Sequence, residues 1–332
     1  MLALSTKKTS LVYMSGRGVY FKADCLELLK NIQSNSVSLC FTDPPFNLGK
    51  FYANPEFDDI WEEAKYNDWC RTWLSELIRV LKPGGTLAIY CLPKWGIDMG
   101  SWLNRRPEIT YRSMIAIKMK NGFPIRGRLH PAVYSILYYT KNGAKPTFNV
   151  VRHRMPVCRK CGAEMRDYGG YRKKFKKYED ENGLPWIQVS DFWEDTHPAR
   201  QHKARKNTVN ELPLFVPERM ILMGSKKDDV VLDIFGGGAS TFHAAQMHDR
   251  YWIGCDIDPE PALGRFASVW GREEATEIPQ KVRECFEPSF IGAQQEVKKE
   301  KKVNPVQKVE VPANGELLLR YNVESKSKVL GF

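Results

Sequence analysis

The sequence predicts an α/β protein with a largely parallel sheet, because two strand–helix–strand units can be recognised in it. The first unit runs from the apolar stretch Val37–Thr42 through an amphipathic helix to a strand at Thr86–Cys91. The second runs from Val230–Asp233 through a glycine turn and a helix to Tyr251–Cys255. One strand of each unit is followed by an aspartate, which places polar groups at the edge where such sheets bind ligands.

The other elements follow from the spacing of apolar residues. The helix of the first unit has apolar residues from Trp69 to Val80 on one face, is opened by Asp68 or a nearby polar residue, and is ended by Lys82–Gly85. The remaining predicted elements are a strand at Val19–Asp24, a helix at Cys25–Ile32, an antiparallel strand pair at Ser113–Met119 and Ala132–Thr140, helices at Leu212–Gly224 and through Met247, and a late strand at Glu316–Val323.

The motif Asp43-Pro44-Pro45-Phe46 is the first candidate site. Its prolines stop the preceding strand abruptly, because proline lacks a backbone donor and has a fixed φ. The stop exposes the carboxylate of Asp43, the rigid carbonyl of Pro44 and the flat ring of Phe46, which together are suited to gripping a planar amine. These four residues alone leave open a tight turn whose aspartate caps the next segment.

The glycine turn after Asp233 is the second candidate site. Gly236-Gly237-Gly238-Ala239 opens a helix, and the next strand ends at Asp256. Glycines let the backbone approach a ligand closely, and an acid in this position accepts hydrogen bonds from the hydroxyls of a cofactor ribose. The order of the glycines is not the G-x-G-x-x-G that a nicotinamide cofactor prefers.

The composition favours a polyanionic partner. The 332-residue chain has the apolar content of a globular protein, 42%, and a formal charge of +11, which favours nucleic acid over an acidic small substrate. The sequence contains no run of 18 apolar residues, and its first ten residues lack the apolar core of a signal peptide, so we expect a cytoplasmic protein with no membrane partner. Its eight cysteines are scattered, as expected for reduced, buried thiols.

A basic region between Lys141 and Lys206 separates the two units. Aromatic residues such as Tyr168, Tyr171 and Phe175 alternate with its lysines and arginines. This mixture favours binding of nucleic acid, by phosphate contact and base stacking, over a solvated surface loop.

Cys158 and Cys161, inside this region, have the spacing of a zinc knuckle. Structural zinc needs four ligands, and the sequence has no second C-x-x-C, so His153, His197 or His202 would have to complete the site. We therefore predict no metal and interpret the two cysteines as paired surface thiols or a relic of a knuckle.

With both motifs in view, the sequence resembles the amino-specific DNA methyltransferases, in the group whose catalytic motif precedes the cofactor motif. The similarity extends from about Val19 to Pro261. Asp43-Pro44-Pro45-Phe46 matches the D-P-P-Y/F motif, and Asp233–Thr241 matches D-P-F-x-G-S-G-T-T, with Ile234 and Ala239 where the family has proline and glycine. Matching segments also occur at Leu81–Gly85, Asn210–Pro213 and Tyr251–Asp256.

This resemblance implies a Rossmann-like S-adenosylmethionine-dependent methyltransferase sheet with a permuted motif order. It implies a catalytic half at residues 1–140, an inserted target-recognition region at 141–206, a cofactor-binding half at 207–287, and a charged linker and tail at 288–332. By the same resemblance S-adenosyl-L-methionine is the methyl donor, and the residues that bind it are Asp24 at its adenine, Asp256 at its ribose, and Asp233, Phe235, Gly236, Gly237 and Gly238 in the turn.

The implied reaction is methylation of adenine N6 in double-stranded DNA after base flipping. Asp43 and the Pro44 carbonyl would accept the amine hydrogens, and Phe46 would stack on the base. The family uses D-P-P more often for adenine and S-P-P more often for cytosine, so N4-cytosine methylation is the nearest alternative. A catalytically silent DNA-binding protein and a protein-amide methyltransferase are more distant ones. A cognate restriction enzyme and a homodimer remain open as partners.

Overall fold

The computed structural model describes residues 9–49, 60–118, 126–127, 129–154, 186–194, 212–271 and 275–294. Its strands are β1 (Ser10–Ser15), β2 (Gly18–Lys22), β3 (Val37–Thr42), β4 (Leu81–Cys91), β5 (Ile109–Lys118), β6 (Val133–Lys141), β7 (Arg152–Arg154), β8 (Trp186–Gln188), β9 (Phe192–Trp193), β10 (Val230–Asp233) and β11 (Tyr251–Asp256). Its helices are α1 (Cys25–Leu29), α2 (Glu63–Val80), α3 (Pro93–Leu103), α4 (Phe215–Gly224), α5 (Ser240–Met247), α6 (Glu260–Trp270) and α7 (Gln280–Arg283).

In the described residues, the main sheet has the strand order β1-β2-β11-β10-β3-β4-β6-β5-β9. The central strands β2, β11, β10, β3 and β4 are parallel, whereas β6 runs antiparallel to both β4 and β5. The predicted parallel sheet and the predicted antiparallel pair are therefore confirmed. From β3 the chain crosses through α2 to β4 on one side, and from β10 through α5 to β11 on the other. The two crossovers thus lead to opposite edges of the sheet, and the strand order reverses between β3 and β10. Such a switch point is where open α/β sheets bind ligands.

Helices cover both faces of the sheet. One core contains residues of α1, α2, α3 and α7, and the other contains residues of α4, α5 and α6. In α2, Trp73, Leu77 and Val80 are fully buried, as the helical spacing of its apolar residues predicts. Burying a side chain such as Leu77 stabilises the fold by roughly 1.5 to 3 kcal/mol, so packing against the sheet holds this helix.

Some element boundaries differ from the prediction. Helix α2 begins a turn earlier, at Glu63 rather than near Asp68, because Tyr66 continues its buried face. Helix α1 ends at Leu29 rather than Ile32, since Ile32 pairs with Phe286.

The turn predicted at Lys82–Gly85 is instead part of β4, which follows α2 directly at Leu81. Gly84 has a φ of +78°, and a Cβ on Gly85 would lie 2.9 Å from the Ser38 carbonyl oxygen. The two glycines thus let the strand pass an irregularity in its pairing with β3. Helix α4 starts at Phe215, three residues later than predicted.

Much of the predicted basic region, residues 155–185 and 195–206, lies outside the described residues, and so do Cys158, Cys161 and the late strand at Glu316–Val323. At the margins of this region, β7 pairs with β8, and β9 joins the main sheet beside β5. The division of the chain into four segments stays a prediction. Among the described residues, no helix is both long and apolar enough to cross a membrane.

Candidate active site

A row of aspartates lies along the carboxyl edge of the described sheet. Asp24 follows β2, Asp256 ends β11, Asp233 ends β10 and Asp43 follows β3, and these four strands are neighbours in this order. The backbone N–H of Ala23 donates to the Asp256 carbonyl at 3.0 Å, which ties the first two strand ends together. Carboxylates gathered in this way favour a cationic or hydroxyl-bearing ligand over a phosphate.

The two candidate motifs meet where β3 pairs with β10. Leu39 lies opposite Val231 and Cys40 opposite Leu232. Asp43 directly follows β3, and Phe235 lies two residues past the end of β10, on neighbouring strands that run parallel roughly 4.8 Å apart. The fold therefore brings the proline motif and the glycine turn, distant in sequence, to adjacent positions.

Two aromatic donors hold the backbone of the proline motif. The Tyr66 hydroxyl, from α2, donates to the Pro45 carbonyl at 2.7 Å, and the Trp95 indole N–H, from α3, donates to the Phe46 carbonyl at 2.5 Å. Both donors are buried, and their ring centroids lie 4.5 Å apart. Sequence reasoning missed this support, because Trp95 lies in a helix that was not predicted and Tyr66 precedes the predicted start of α2.

Phe46 belongs to a cluster of three aromatic rings near Asp43. Its ring centroid lies 6.2 Å from that of Tyr90 and 6.1 Å from that of Tyr134, and the two tyrosine rings stack at 5.0 Å. Burial, and secondly the charge of Asp43, raise the pKa of Tyr90 and of Tyr134, so both phenols stay neutral. These tyrosines were also missed. Their positions near the ends of two predicted strands at this edge were the available signal.

Asp233 holds the glycine turn through buried hydrogen bonds. It is 2% exposed, and its carboxylate accepts hydrogen bonds from the Phe235 N–H at 3.0 Å and from the Thr241 hydroxyl at 2.6 Å. Burial raises its pKa from 3.8 to about 7. Its carboxylate thus orders the turn through contacts within the chain.

Gly236 and Gly237 differ in what they face. A Cβ on Gly236 would lie 2.7 Å from the Tyr20 ring and 2.8 Å from the Phe242 ring, so this glycine packs on the core. Gly237 has a φ of +39°, and within 4 Å its Cβ would meet the Phe235 carbonyl oxygen at 3.9 Å. Gly237 therefore borders open space.

Asp256 lies beside that space. Its carboxylate accepts hydrogen bonds from the Gly237 N–H at 2.9 Å and the Asp258 N–H at 3.0 Å, and burial raises its pKa. A carboxylate has about four lone-pair positions, so these two bonds leave capacity for a ligand hydroxyl. Asp24 is the N-cap of α1 and accepts from the Leu26 N–H at 2.8 Å, which fixes its orientation at the neighbouring strand end.

Phe235 and Ala239 complete the turn. The Phe235 ring contacts Trp69 and Trp73 of α2, with centroid distances of 5.5 and 5.6 Å. Ala239 adopts the left-handed conformation, with φ of +62°, at a cost of about 1 to 2 kcal/mol that glycine would avoid. Its methyl is fully buried and packs in the core, away from the open space at Gly237.

The structure thus brings the predicted site residues to one edge of the sheet. Asp43 to Phe46 lie at the end of β3, and the turn residues Asp233 to Gly238 lie beside them at the end of β10. Asp256 and Asp24 continue the same edge. The role of each residue stays a prediction.

Comparison with known proteins identifies the family. The N6/N4 methyltransferase family, described as DNA methylase, matches residues 37–262. The chain belongs to this DNA methylase family. The type II methyltransferase M.BamHI of Bacillus amyloliquefaciens is 41% identical over 240 residues, which are 72% of this chain and 54% of that protein. M.HpaI of Haemophilus parainfluenzae is 32% identical over 238 residues, 72% of this chain and 69% of that protein. The matched part is thus about half the length of M.BamHI and about two thirds of M.HpaI.

Solved structures of DNA methylases share the fold. The PvuII DNA methyltransferase, named as cytosine-N4-specific, aligns with a TM-score of 0.52 at 18% identity, over 87% of this chain and 94% of that one. TTHA0409 of Thermus thermophilus, solved in complex with S-adenosyl-L-methionine, aligns with a TM-score of 0.51 at 19% identity, over 80% of this chain and 98% of that one. The predicted Rossmann-like methyltransferase fold is confirmed.

Proposed function

We propose that this DNA methylase transfers a methyl group from S-adenosyl-L-methionine to an exocyclic amine of DNA, and that the amine is N6 of adenine. The observation that carries the proposal is the adjacency of β3 and β10, which brings the segments that follow them, the proline motif and the glycine turn, to neighbouring strand ends at the switch point of the sheet. A methyl donor on the glycine turn and an amine at Asp43 would then lie at adjacent strand ends, as direct methyl transfer requires.

The turn and the neighbouring strand ends fit the methyl donor. The open space at Gly237 admits a ligand against the backbone, and the carboxylate of Asp256 accepts from ribose hydroxyls. Asp24 lies at the next strand end, where the adenine of the donor is expected. When bound, S-adenosylmethionine supplies an electrophilic methyl group on a positively charged sulfonium. The acidic strand ends favour that charge.

The proline motif fits the methyl acceptor. The lone pair of an exocyclic amine is conjugated with the ring, so the amine is a poor nucleophile. The Asp43 carboxylate and the Pro44 carbonyl accept hydrogen bonds from the two N–H groups of the amine, and this turns the nitrogen lone pair out of the ring plane. The base must leave the duplex to reach the end of β3, and the ring of Phe46, in its cluster with Tyr90 and Tyr134, offers the base an aromatic surface.

Mass spectrometry of nucleosides tests the proposal. The purified protein is incubated with deuterated-methyl donor and unmethylated plasmid and phage DNA, which is then digested. Labelled N6-methyl-2′-deoxyadenosine is the expected product, and Asp43→Ala is the negative control. Labelled N4-methyl-2′-deoxycytidine would instead show that the methyl acceptor is cytosine, the base named for the PvuII enzyme. A protein that binds DNA without methylating any of it would be the silent DNA-binding protein of the alternative interpretation.

The partners follow from the same proposal. Double-stranded DNA is the substrate, and the basic region between Lys141 and Lys206 chooses the sequence. Sequencing the DNA of an expression host for modified bases would identify the recognised word. A cognate restriction enzyme is a proposal that the type II names of the relatives support. A homodimer stays a prediction that sedimentation of the purified protein would test.

A further inference from the structure

The backbone torsions of Asp43-Pro44-Pro45-Phe46 are restricted unevenly by the sequence. The two proline rings hold φ of Pro44 and Pro45 near −65°. A following proline confines ψ of Asp43 and of Pro44 to extended values. These restrictions fix the backbone from which the Asp43 side chain projects and the direction of the Pro44 carbonyl, and both groups are proposed to accept hydrogen bonds from the amine. They end at Pro45, because Phe46 is not a proline.

The position of the Phe46 ring therefore depends on contacts made by the rest of the fold. The direction of the Pro45 carbonyl reports ψ of Pro45, and the Tyr66 hydroxyl holds that carbonyl at 2.7 Å. The direction of the Phe46 carbonyl reports ψ of Phe46, and the Trp95 indole holds it at 2.5 Å. The two hydrogen bonds thus hold the carbonyls on both sides of the Phe46 Cα, where the prolines impose no restriction.

The two donors are themselves rigid. Tyr66 is 2% exposed and Trp95 is 3% exposed, and their rings pack against each other. They come from different helices, α2 and α3, and Tyr66 also contacts Trp69, whose ring contacts Phe235 of the glycine turn. The support of the proline motif is therefore continuous with the cofactor side of the site.

We propose that Tyr66 and Trp95 are positioning residues that set the Phe46 ring against the flipped base. The inference rests on the proposed function, and it assigns to these two side chains a role in the reaction besides packing. The Pro44 carbonyl needs no such support, because the prolines restrict both torsions of its residue. Loss of the Tyr66 hydroxyl should accordingly impair handling of the base and leave binding of the methyl donor intact.

Tyr66→Phe tests this with the least change, since it removes one oxygen and keeps the ring. Tyr139→Phe is the matched control: Tyr139 is 1% exposed, and its hydroxyl donates to Asn104 at 2.8 Å, in a contact that does not involve the proline motif. We expect Tyr66→Phe to lower kcat on plasmid DNA by about ten- to a hundredfold, as a misplaced reacting group does. We expect Tyr139→Phe to leave kcat within about twofold of wild type and both variants to bind the methyl donor normally.

A double-mutant cycle separates positioning from general stability. If Tyr66 acts through Phe46, Tyr66→Phe should have little further effect on kcat in a Phe46→Leu background. Multiplicative losses in the double variant would show that Tyr66 acts by another route. Equal losses of kcat in Tyr66→Phe and Tyr139→Phe would likewise overturn the inference.

Fluorine NMR tests the positioning role of Tyr66 without relying on methyl transfer. Protein labelled with 4-fluorophenylalanine gives a fluorine resonance for Phe46, identified by its absence in Phe46→Leu. Tyr66→Phe should shift or split this resonance, and Tyr139→Phe should not. An unchanged Phe46 resonance in Tyr66→Phe would refute the positioning role. A wild-type protein that methylates no DNA would refute the proposed function alone, because the resonance would still report on Phe46.

Discussion

Adding one methyl group to either of two adjacent glycines should have different consequences. In Gly236→Ala the new Cβ would lie 2.7 Å from the Tyr20 ring and 2.8 Å from the Phe242 ring, and both rings are fully buried. Neither ring can move without disturbing the core, and overpacking of this kind costs typically about 1 to 3 kcal/mol. At about 2 to 4 °C per kcal/mol, the melting temperature should fall by about 2 to 12 °C.

In Gly237→Ala the new methyl would project into open space, with the Phe235 carbonyl oxygen 3.9 Å away. The cost to the ligand-free protein is the strain of alanine at a φ of +39°, about 1 to 2 kcal/mol. If the methyl donor occupies this space, its dissociation constant should rise by at least about tenfold, a loss of about 1.4 kcal/mol.

The assay measures melting of the ligand-free protein and calorimetric binding of S-adenosylmethionine. Gly264→Ala is the control, since a Cβ there meets nothing within 4 Å and the residue lies within α6, where alanine is favoured by about 0.5 to 1 kcal/mol. Melting of Gly236→Ala at the wild-type temperature would refute the packing of the turn on Tyr20. Wild-type affinity in Gly237→Ala would mean that the methyl donor lies elsewhere.

Four other changes test single residues of the site and its support. Asp43→Ala should abolish methyl transfer while equilibrium dialysis shows unchanged binding of the methyl donor, because the acid acts on the target amine; activity within about tenfold of wild type would contradict this. Asp256→Ala should weaken binding of the donor by about 1.5 to 3 kcal/mol in calorimetry, and an unchanged dissociation constant would mean that the ribose is held elsewhere. Lys141 donates to the carbonyls of Ile78, Arg79 and Leu81 at the end of α2, so Lys141→Met should lower the free energy of urea unfolding by about 2 kcal/mol. The salt dependence of DNA binding should not change. A salt slope reduced by about one would instead indicate that Lys141 contacts a phosphate. Asp233→Asn should flatten the pH dependence of stability. In the wild type the pKa of Asp233 in the folded state, about 7, exceeds the ordinary 3.8, so between these pH values the folded protein keeps a proton that the unfolded chain releases. The free energy of unfolding of the wild type, measured with urea, should therefore fall by up to about 4 kcal/mol between pH 4 and 7. An equal fall in the variant would show that another group titrates.

The sequence predicted the parts of the fold that depend on local pattern. The strand Val37–Thr42 and the helix Ser240–Met247 stand where periodicity and turn chemistry placed them. Helix α3 was missed, although Pro93 opens it and its buried residues, Trp95, Met99 and Leu103, recur every four residues. The spacing of an amphipathic helix was present there, in a segment whose two glycines weaken the helical signal.

The motifs of the candidate site could be predicted from the sequence, whereas the side chains that contact and hold those motifs could not. Asp43 and the glycine turn carry local signatures, because each needs particular residues at a strand end. The contact of Tyr66 with Pro45 depends on how α2 lies over the sheet, and that of Tyr134 with Phe46 depends on the pairing of β6 with β4. Such distances are set by the three-dimensional packing of distant segments, which apolar spacing does not encode.

The net charge of the chain and the local charge of the site favour different ligands. The whole protein carries +11, which attracts DNA, yet the strand ends that form the site carry the carboxyl groups of Asp24, Asp256 and Asp43. A phosphate at this edge would be repelled, whereas the cationic methyl donor would be attracted. We infer that the DNA backbone is held away from the strand ends and that a single extruded base reaches Asp43. An acidic site in a basic protein therefore favours base flipping, since the uncharged base is the part of DNA that this edge can admit.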